Sequence, residues 1–256
     1  VSRQIQSLLN AVQFMTLVPT PRTAQFDNDW LLSASKYFPL VGAGIGLVCG
    51  GVLLAGSLIW SGVVPAMMAV AAGAALTGAL HEDGIADTAD GLFGGSTREQ
   101  RLALIKDSRL GLYGAVALVL SFAIRVAALA NLPPWLGVAT LVASYSLGRT
   151  GIVAAMSALP YAGDAATGKL SYPTRAISSA GWFGLAAFSV LGALWLVMLN
   201  PPAAIVGLLA AGVFGLAAPW IAQRLIGGYR GDVLGATEQM IQIGLLLGVV
   251  AMAGPG

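Results

Sequence analysis

Charge is what this chain has least of: 13 basic and 11 acidic residues make up 9% of its 256 positions, against 57% hydrophobic. The net charge of +2 leaves no basic surface of the kind that nucleic acid requires, so nucleic acid is not an expected partner. One cysteine, Cys49, excludes an intramolecular disulfide and reads as packing inside an apolar helix. One histidine, His81, excludes a metal site built on imidazoles. The N-terminus shows no signal-peptide pattern, because Arg3 precedes an amphipathic stretch instead of a short apolar core. No internal repeat or low-complexity segment is visible.

What is present is apolar sequence in long uncharged runs, with a mean hydropathy of +0.82 and 34 glycines. That describes an all-α, polytopic membrane bundle. About seven spans use nearly the whole of 1–256 as one domain: 39–60, 62–80, 110–131, 134–159, 181–199, 202–222 and 236–253. Gly42, Gly46 and Gly50 form a small-residue face on the first span, suited to close helix contact. Ile5, Leu8, Leu9, Val12 and Thr16 predict an amphipathic interfacial helix stopped by Pro19 and Pro21, and a second short helix begins at Trp30 after Asp27-Asn28-Asp29. Ser96-Thr97-Arg98-Glu99 has the pattern of a capping box for another amphipathic helix. Two links are long and polar, Tyr161 to Ala180 and Gln223 to Ala236.

With the N-terminus in the cytoplasm, the eleven lysines and arginines outside the spans all fall on the cytoplasmic side, a positive-inside pattern. All eleven acids fall there too. The expected location is therefore a multi-pass inner membrane with a cytoplasmic site.

The chemistry concentrates in His81-Glu82-Asp83-Gly84-Ile85-Ala86-Asp87-Thr88-Ala89-Asp90-Gly91, which holds four carboxylates and the histidine. On a helix, Asp83, Asp87 and Asp90 lie within an arc of roughly 60°. Like charges so placed repel, which predicts a cation between them. Oxygen ligands favour one or two Mg²⁺ ions, or Mn²⁺, over zinc or copper. A hard divalent ion beside carboxylates points to phosphoryl or phosphodiester transfer, with Arg98, Arg101, Lys106 and Arg109 downstream to hold phosphate charge. A solvated acidic loop is the plain alternative. His81 points nearly opposite Asp83, so it reads either as a substrate or proton-relay group or as a cap of the preceding span. Glu82 lies off the acidic face. Gly84, Gly91, Gly94 and Gly95 suit close approach of a phosphate or of a neighbouring helix. Arg149, inside a span, is expected to reach toward a phosphate, Arg125 to snorkel outward, and Glu238 to pair with a base or support its helix start.

The acidic stretch also resembles the His-x-Asp-Gly-Leu-x-Asp-x-x-Asp-Gly signature of the cobalamin synthase family, the adenosylcobinamide-GDP ribazoletransferases. Phe38-Pro39-Leu40-Val41-Gly42, Lys106-Asp107-Ser108-Arg109-Leu110-Gly111 with Tyr113-Gly114, and Gly227-Gly228-Tyr229-Arg230-Gly231-Asp232-Val233-Leu234-Gly235-Ala236 agree as well. Ile85 stands for the usual leucine, and Arg230 where threonine is commoner. No arginine follows Pro160-Tyr161, so no phosphate contact is expected there. The resemblance implies transfer of adenosylcobinamide phosphate from adenosylcobinamide-GDP to α-ribazole or its 5′-phosphate, releasing GMP. It implies Asp83, Asp87 and Asp90 as metal ligands and Asp83, Asp107, Asp232 and His81 as catalytic candidates. Arg109, Arg149, Gly84, Gly91, Arg98 and Arg230 are the substrate-binding candidates. The lipid bilayer is a partner, and a homo-oligomer or association with other corrinoid-pathway enzymes is left open. A CDP-alcohol phosphotransferase fits less well, because Ile85-Ala86-Asp87 follows Asp83-Gly84 where Ala-Arg belongs. An ion-coupled transporter would place its charges near mid-membrane and show repeats.

Overall fold

The computed structural model describes residues 2–21, 30–163 and 177–253. Asp27, Asn28 and Asp29 and most of the link from Tyr161 to Ala180 lie outside the described residues. Among the described residues the chain forms eleven helices: α1 (Arg3–Met15), α2 (Trp30–Ser35), α3 (Phe38–Ser57), α4 (Val63–Thr77), α5 (Leu80–Gly94), α6 (Arg98–Ile105), α7 (Leu112–Ala130), α8 (Pro134–Ala158), α9 (Ser179–Leu199), α10 (Pro201–Ile226) and α11 (Gly231–Ala253). Six of these, α3 and α7 to α11, are long and apolar enough to cross a membrane; α4 and α5 together make a seventh, bent by 90°. The chain is a multi-pass helical membrane protein. α5 is the polar limb of this bent pair.

Glycine and small residues set how closely the spans pack. Gly42, Gly46 and Gly50 do form one face, and α8 lies against it: a Cβ at Gly46 would come within 2.6 Å of the Val142 Cα, and one at Gly50 within 2.6 Å of the Val138 side chain. Van der Waals packing of this kind holds helices together where lipid is as apolar as the side chains. α8 and α11 are the most deeply buried spans, while α9 and α10 show most of their surface to the lipid. Around these two pillars the other helices bring their polar residues to one end.

Two boundaries differ from expectation. The box that caps α6 uses Thr97 and Gln100, one residue later than Ser96 and Glu99: Gln100 N donates to the Thr97 hydroxyl, and the Gln100 side chain accepts from Thr97 N. Gln, as well as Glu, can make the return bond. The last span also starts earlier than 236, at Gly231, which moves Asp232 from a link into the first turn of α11.

Candidate functional site

The site begins with a bend. α4 ends at Thr77 because Gly78 and Ala79 both take left-handed backbone, φ 64° and 56°. Their N–H groups close the end of α4, Gly78 N donating to Ala75 O (3.3 Å) and Ala79 N to Ala74 O (2.7 Å). The last carbonyls of the span are thus satisfied by the backbone, and capping by His81 is not required. The chain turns through 90° and α5 runs back between the N-terminal halves of α7 and α11.

One face of α5 is turned into the bundle. His81, Glu82, Gly84 and Ile85 are buried. Glu82 Oε1 accepts from Nη1 and Nη2 of Arg125 (3.3 Å each) and from Gln239 Nε2 (3.1 Å). Arg125 is therefore a buried partner and does not snorkel: it is 1% exposed, with its guanidinium over the Phe122 ring. A charge in an apolar bundle is stable where an opposite charge and hydrogen bonds meet it, and α5 supplies that charge. A second pair continues inward, Arg149 with Glu238, joined by Gln242, which donates to Glu238, and by Gln239, which donates to Glu238 Oε2 at 3.1 Å. Arg149 is fully buried, so it does not reach the surface, and its Nε and Nη2 have no hydrogen-bond partner among the described residues. The expected pairing of Glu238 with a base is what the structure shows.

The other face of α5 carries the aspartates, with Asp83 exposed and Asp87 and Asp90 half-buried. Asp90 serves α7: its Oδ2 accepts from Gly111 N (2.7 Å) and its Oδ1 from Gly114 N (2.9 Å). The N-cap residue of α7, Gly111, has no side chain, so a carboxylate from α5 takes its place at the positive end of the helix. The side chains of Asp83 and Asp87 have no hydrogen-bond or ion-pair partner among the described residues. Asp87 is half-buried, with the carboxylates of Asp83, Asp232, Asp90 and Asp107 nearby. Asp83 and Asp232 border a cavity of about 510 Å³, with His81 beside them and walls from α1, α2, α3, α8 and α11.

These carboxylates suit a hard cation: the donors are all oxygen and their mutual repulsion is uncompensated. No three His, Cys, Asp or Glu side chains among the described residues are gathered tightly enough to ligate one ion as they stand. Asp90 is engaged with α7, and Asp232 joins Asp83 and Asp90 among the carboxylates that surround Asp87.

Comparison with known proteins gives the family. A family model described as cobalamin-5-phosphate synthase matches residues 7–250. Curated relatives named adenosylcobinamide-GDP ribazoletransferase include one from Leptothrix cholodnii, 39% identical over 94% of this chain and 93% of its own. Others come from Bradyrhizobium diazoefficiens, 39% identical over 95% and 92%, and Shewanella frigidimarina, 36% identical over 98% and 96%. The chain belongs to the cobalamin-5-phosphate synthase family. No solved structure matches it.

Within this family chain the motif residues outside α5 divide by what they touch. Asp107 and Arg109 pair with each other at 2.7 Å on the exposed turn before α7, and the arginine holds the Asp107 carboxyl down to about 2. Arg98 donates to Ile226 O (2.9 Å) and Ala162 O (3.1 Å), tying α6 to the end of α10 and to the Pro160 turn. Arg101 likewise donates to Leu92 O (3.2 Å) near the end of α5. Arg230 lies over the Tyr161 ring, where Ala162 N donates to Tyr229 O and Tyr229 N to Pro160 O, at 2.9 Å each. Gly84 meets Gly235 and the Asp232 carbonyl of α11, and Gly91 meets Ile105 and the Arg101 carbonyl of α6. Of the two uses open to these glycines, the neighbouring helix is the one seen. Sequence reasoning missed the Glu82–Arg125 pair and both glutamines. Two arginines inside apolar spans were the available signal, since each requires a partner.

Proposed function

We propose that this chain transfers the adenosylcobinamide-phosphate group from adenosylcobinamide-GDP to α-ribazole or α-ribazole 5′-phosphate, releasing GMP, at the cytoplasmic face of the inner membrane. The observation that carries the reading is the pair Asp83 and Asp87, whose side chains have no cationic partner among the described residues, with Asp83 bordering the cavity, in a chain of this family. In the balanced reaction the ribose 3′-hydroxyl oxygen forms a bond to the phosphorus that carries cobinamide. The bond from that phosphorus to the GMP phosphate oxygen breaks, and GMP departs as the leaving group.

Asp83, Asp87 and Asp232 would hold Mg²⁺ or Mn²⁺, which polarises phosphoryl oxygens and stabilises a departing phosphate. Asp83 and Asp232 border the cavity, so either carboxylate can accept the hydroxyl proton there. Asp107 is the weaker base, because a carboxyl held near 2 by Arg109 has little affinity for a proton. Asp90, Arg98, Arg101 and the Glu82–Arg125 pair position α5. His81 closes one side of the cavity. Arg109, which is exposed, and Arg230, half-buried over the Tyr161 ring, would meet the phosphate charge.

The test is GMP release by the purified protein in detergent or nanodiscs, supplied with adenosylcobinamide-GDP, α-ribazole and Mg²⁺. Asp87→Asn should lower kcat by at least about a hundredfold, the scale expected when charge stabilisation at the reacting phosphate is lost. Wild-type turnover without any divalent ion would remove the metal from the proposal.

A further inference from the structure

We propose that the groove between α8 and α10 holds one acyl chain of an anionic phospholipid, with the lipid phosphate at Arg224. This site is separate from the acidic helix and independent of the reaction proposed above. α8 and α10 each pack along α11 and scarcely touch one another, which leaves a groove of about 650 Å³ between them. Its floor is α11: Ile241 lies against both walls, where a Cβ on Gly151 or Gly215 would strike it. The walls are open. Ala154, Ala158 and Gly212 are exposed, and Val213 and Leu216 stand along the rim at 70% and 69% exposure. Small residues make the space apolar and elongated, a shape that a flexible hydrocarbon chain fills with many weak dispersion contacts.

Length and charge name the occupant. From Ala211 to Gln223 the groove follows α10 for roughly 18 Å at 1.5 Å per residue, close to the depth of one leaflet in a hydrocarbon core about 30 Å thick. It opens at the polar end of the bundle, where α8 and α10 finish and α11 begins, and it stops near the middle of α10. A helix from a second copy would need a face along the whole core, so the dimension selects a lipid chain. At the mouth, Gln223 lines the groove and the Arg224 guanidinium lies 4.8 Å from the centre of the Trp220 ring. All three residues are exposed, and no acid pairs with Arg224 among the described residues. Tryptophan and arginine at a span end sit at the depth of lipid headgroups, and a guanidinium meets phosphate with two parallel hydrogen bonds. Thr237 on the wall precedes Glu238, and Gly151 follows Arg149 by two residues. A seated chain therefore also covers the contact between α8 and α11 that the buried ion pair spans.

The experiment titrates the full chain in a mild detergent with phosphatidylglycerol or phosphatidylcholine of equal chain length, and reads bound lipid by native mass spectrometry. One tightly held lipid per chain is expected, with phosphatidylglycerol bound about fivefold more tightly, the scale of one basic residue at an anionic surface. Arg224→Gln should bring the two affinities together. Gly212→Phe fills the groove, and since a Cβ there meets nothing within 4 Å, the bundle should fold as before. Affinity for both lipids should then drop by at least about tenfold. Ala154→Leu, on the facing wall, is a second filling variant should Gly212→Phe not fold. Lipid binding unaltered by filling would overturn the proposal, because it would leave only the loosely held belt around any membrane protein. Equal affinity of the wild type for the two lipids would overturn it as well. A wild-type dimer that Gly212→Phe converts to monomer would overturn it in favour of a second copy in the groove.

Discussion

Asp87 combines partial burial with neighbouring carboxylates from Asp83 and Asp232, and no cationic side chain among the described residues pairs with it. A divalent ion bound there should stabilise the folded protein by mass action. Thermal unfolding is expected to show a higher midpoint in Mg²⁺ than in EDTA, and Asp87→Asn should reduce that difference. An identical Mg²⁺ effect in the variant would exclude Asp87 as its source. Asp90 is engaged differently, because its two oxygens already accept from Gly111 and Gly114 and a Cβ on either glycine would strike that carboxylate.

At the scale of the element, α5 is held by what its buried face meets. Glu82→Ala would leave Arg125 charged, buried and short of its main acceptor, a loss of about 3–5 kcal/mol. Replacing both, Glu82→Ala with Arg125→Leu, should recover much of that, measured as the unfolding midpoint in detergent. Equal loss in single and double variants would show that the pair does not stabilise the fold. The apolar spans were legible in sequence because their length and hydropathy are local properties; α3 and α8 fall within three residues of their expected limits. The acidic helix was legible through its spacing. The bend before it was not, since Ala79 is an ordinary helix former whose left-handed backbone depends on its surroundings. Nor was the engagement of Asp90, whose partners lie 21 and 24 residues away on another helix. Spacing on one helix shows which side chains share a face and is silent about which neighbours reach them first.

At the scale of the whole molecule, one polar end and a lipid-facing body imply a defined orientation. Cys49 is buried, which gives a quiet background for labelling introduced thiols. A cysteine at Ser96, in the turn between α5 and α6, should react only from the cytoplasm, and one at Ser61, between α3 and α4, only from outside. The same side for both would overturn the topology proposed for the site.

The buried pairing of α5 also sets an order of assembly. Glu82 precedes Arg125 by 43 residues and Gln239 by 157, and Arg149 precedes Glu238 by 89. At roughly 5–20 residues per second, Glu82 leaves the ribosome about 8–30 s before Gln239 exists. Over that interval Glu82 meets Arg125 but lacks its Gln239 contact, and Arg149 waits 89 residues for Glu238. A chain stopped before α11 keeps the Glu82–Arg125 pair and leaves Arg149 without its acid. Such truncations should be degraded in the cell far faster than the full protein, as a pulse-chase experiment would measure, and co-expression of α11 as a separate peptide should prolong their survival. α11 is thus the helix on which the pairing of Arg149 and the full set of Glu82 contacts depend.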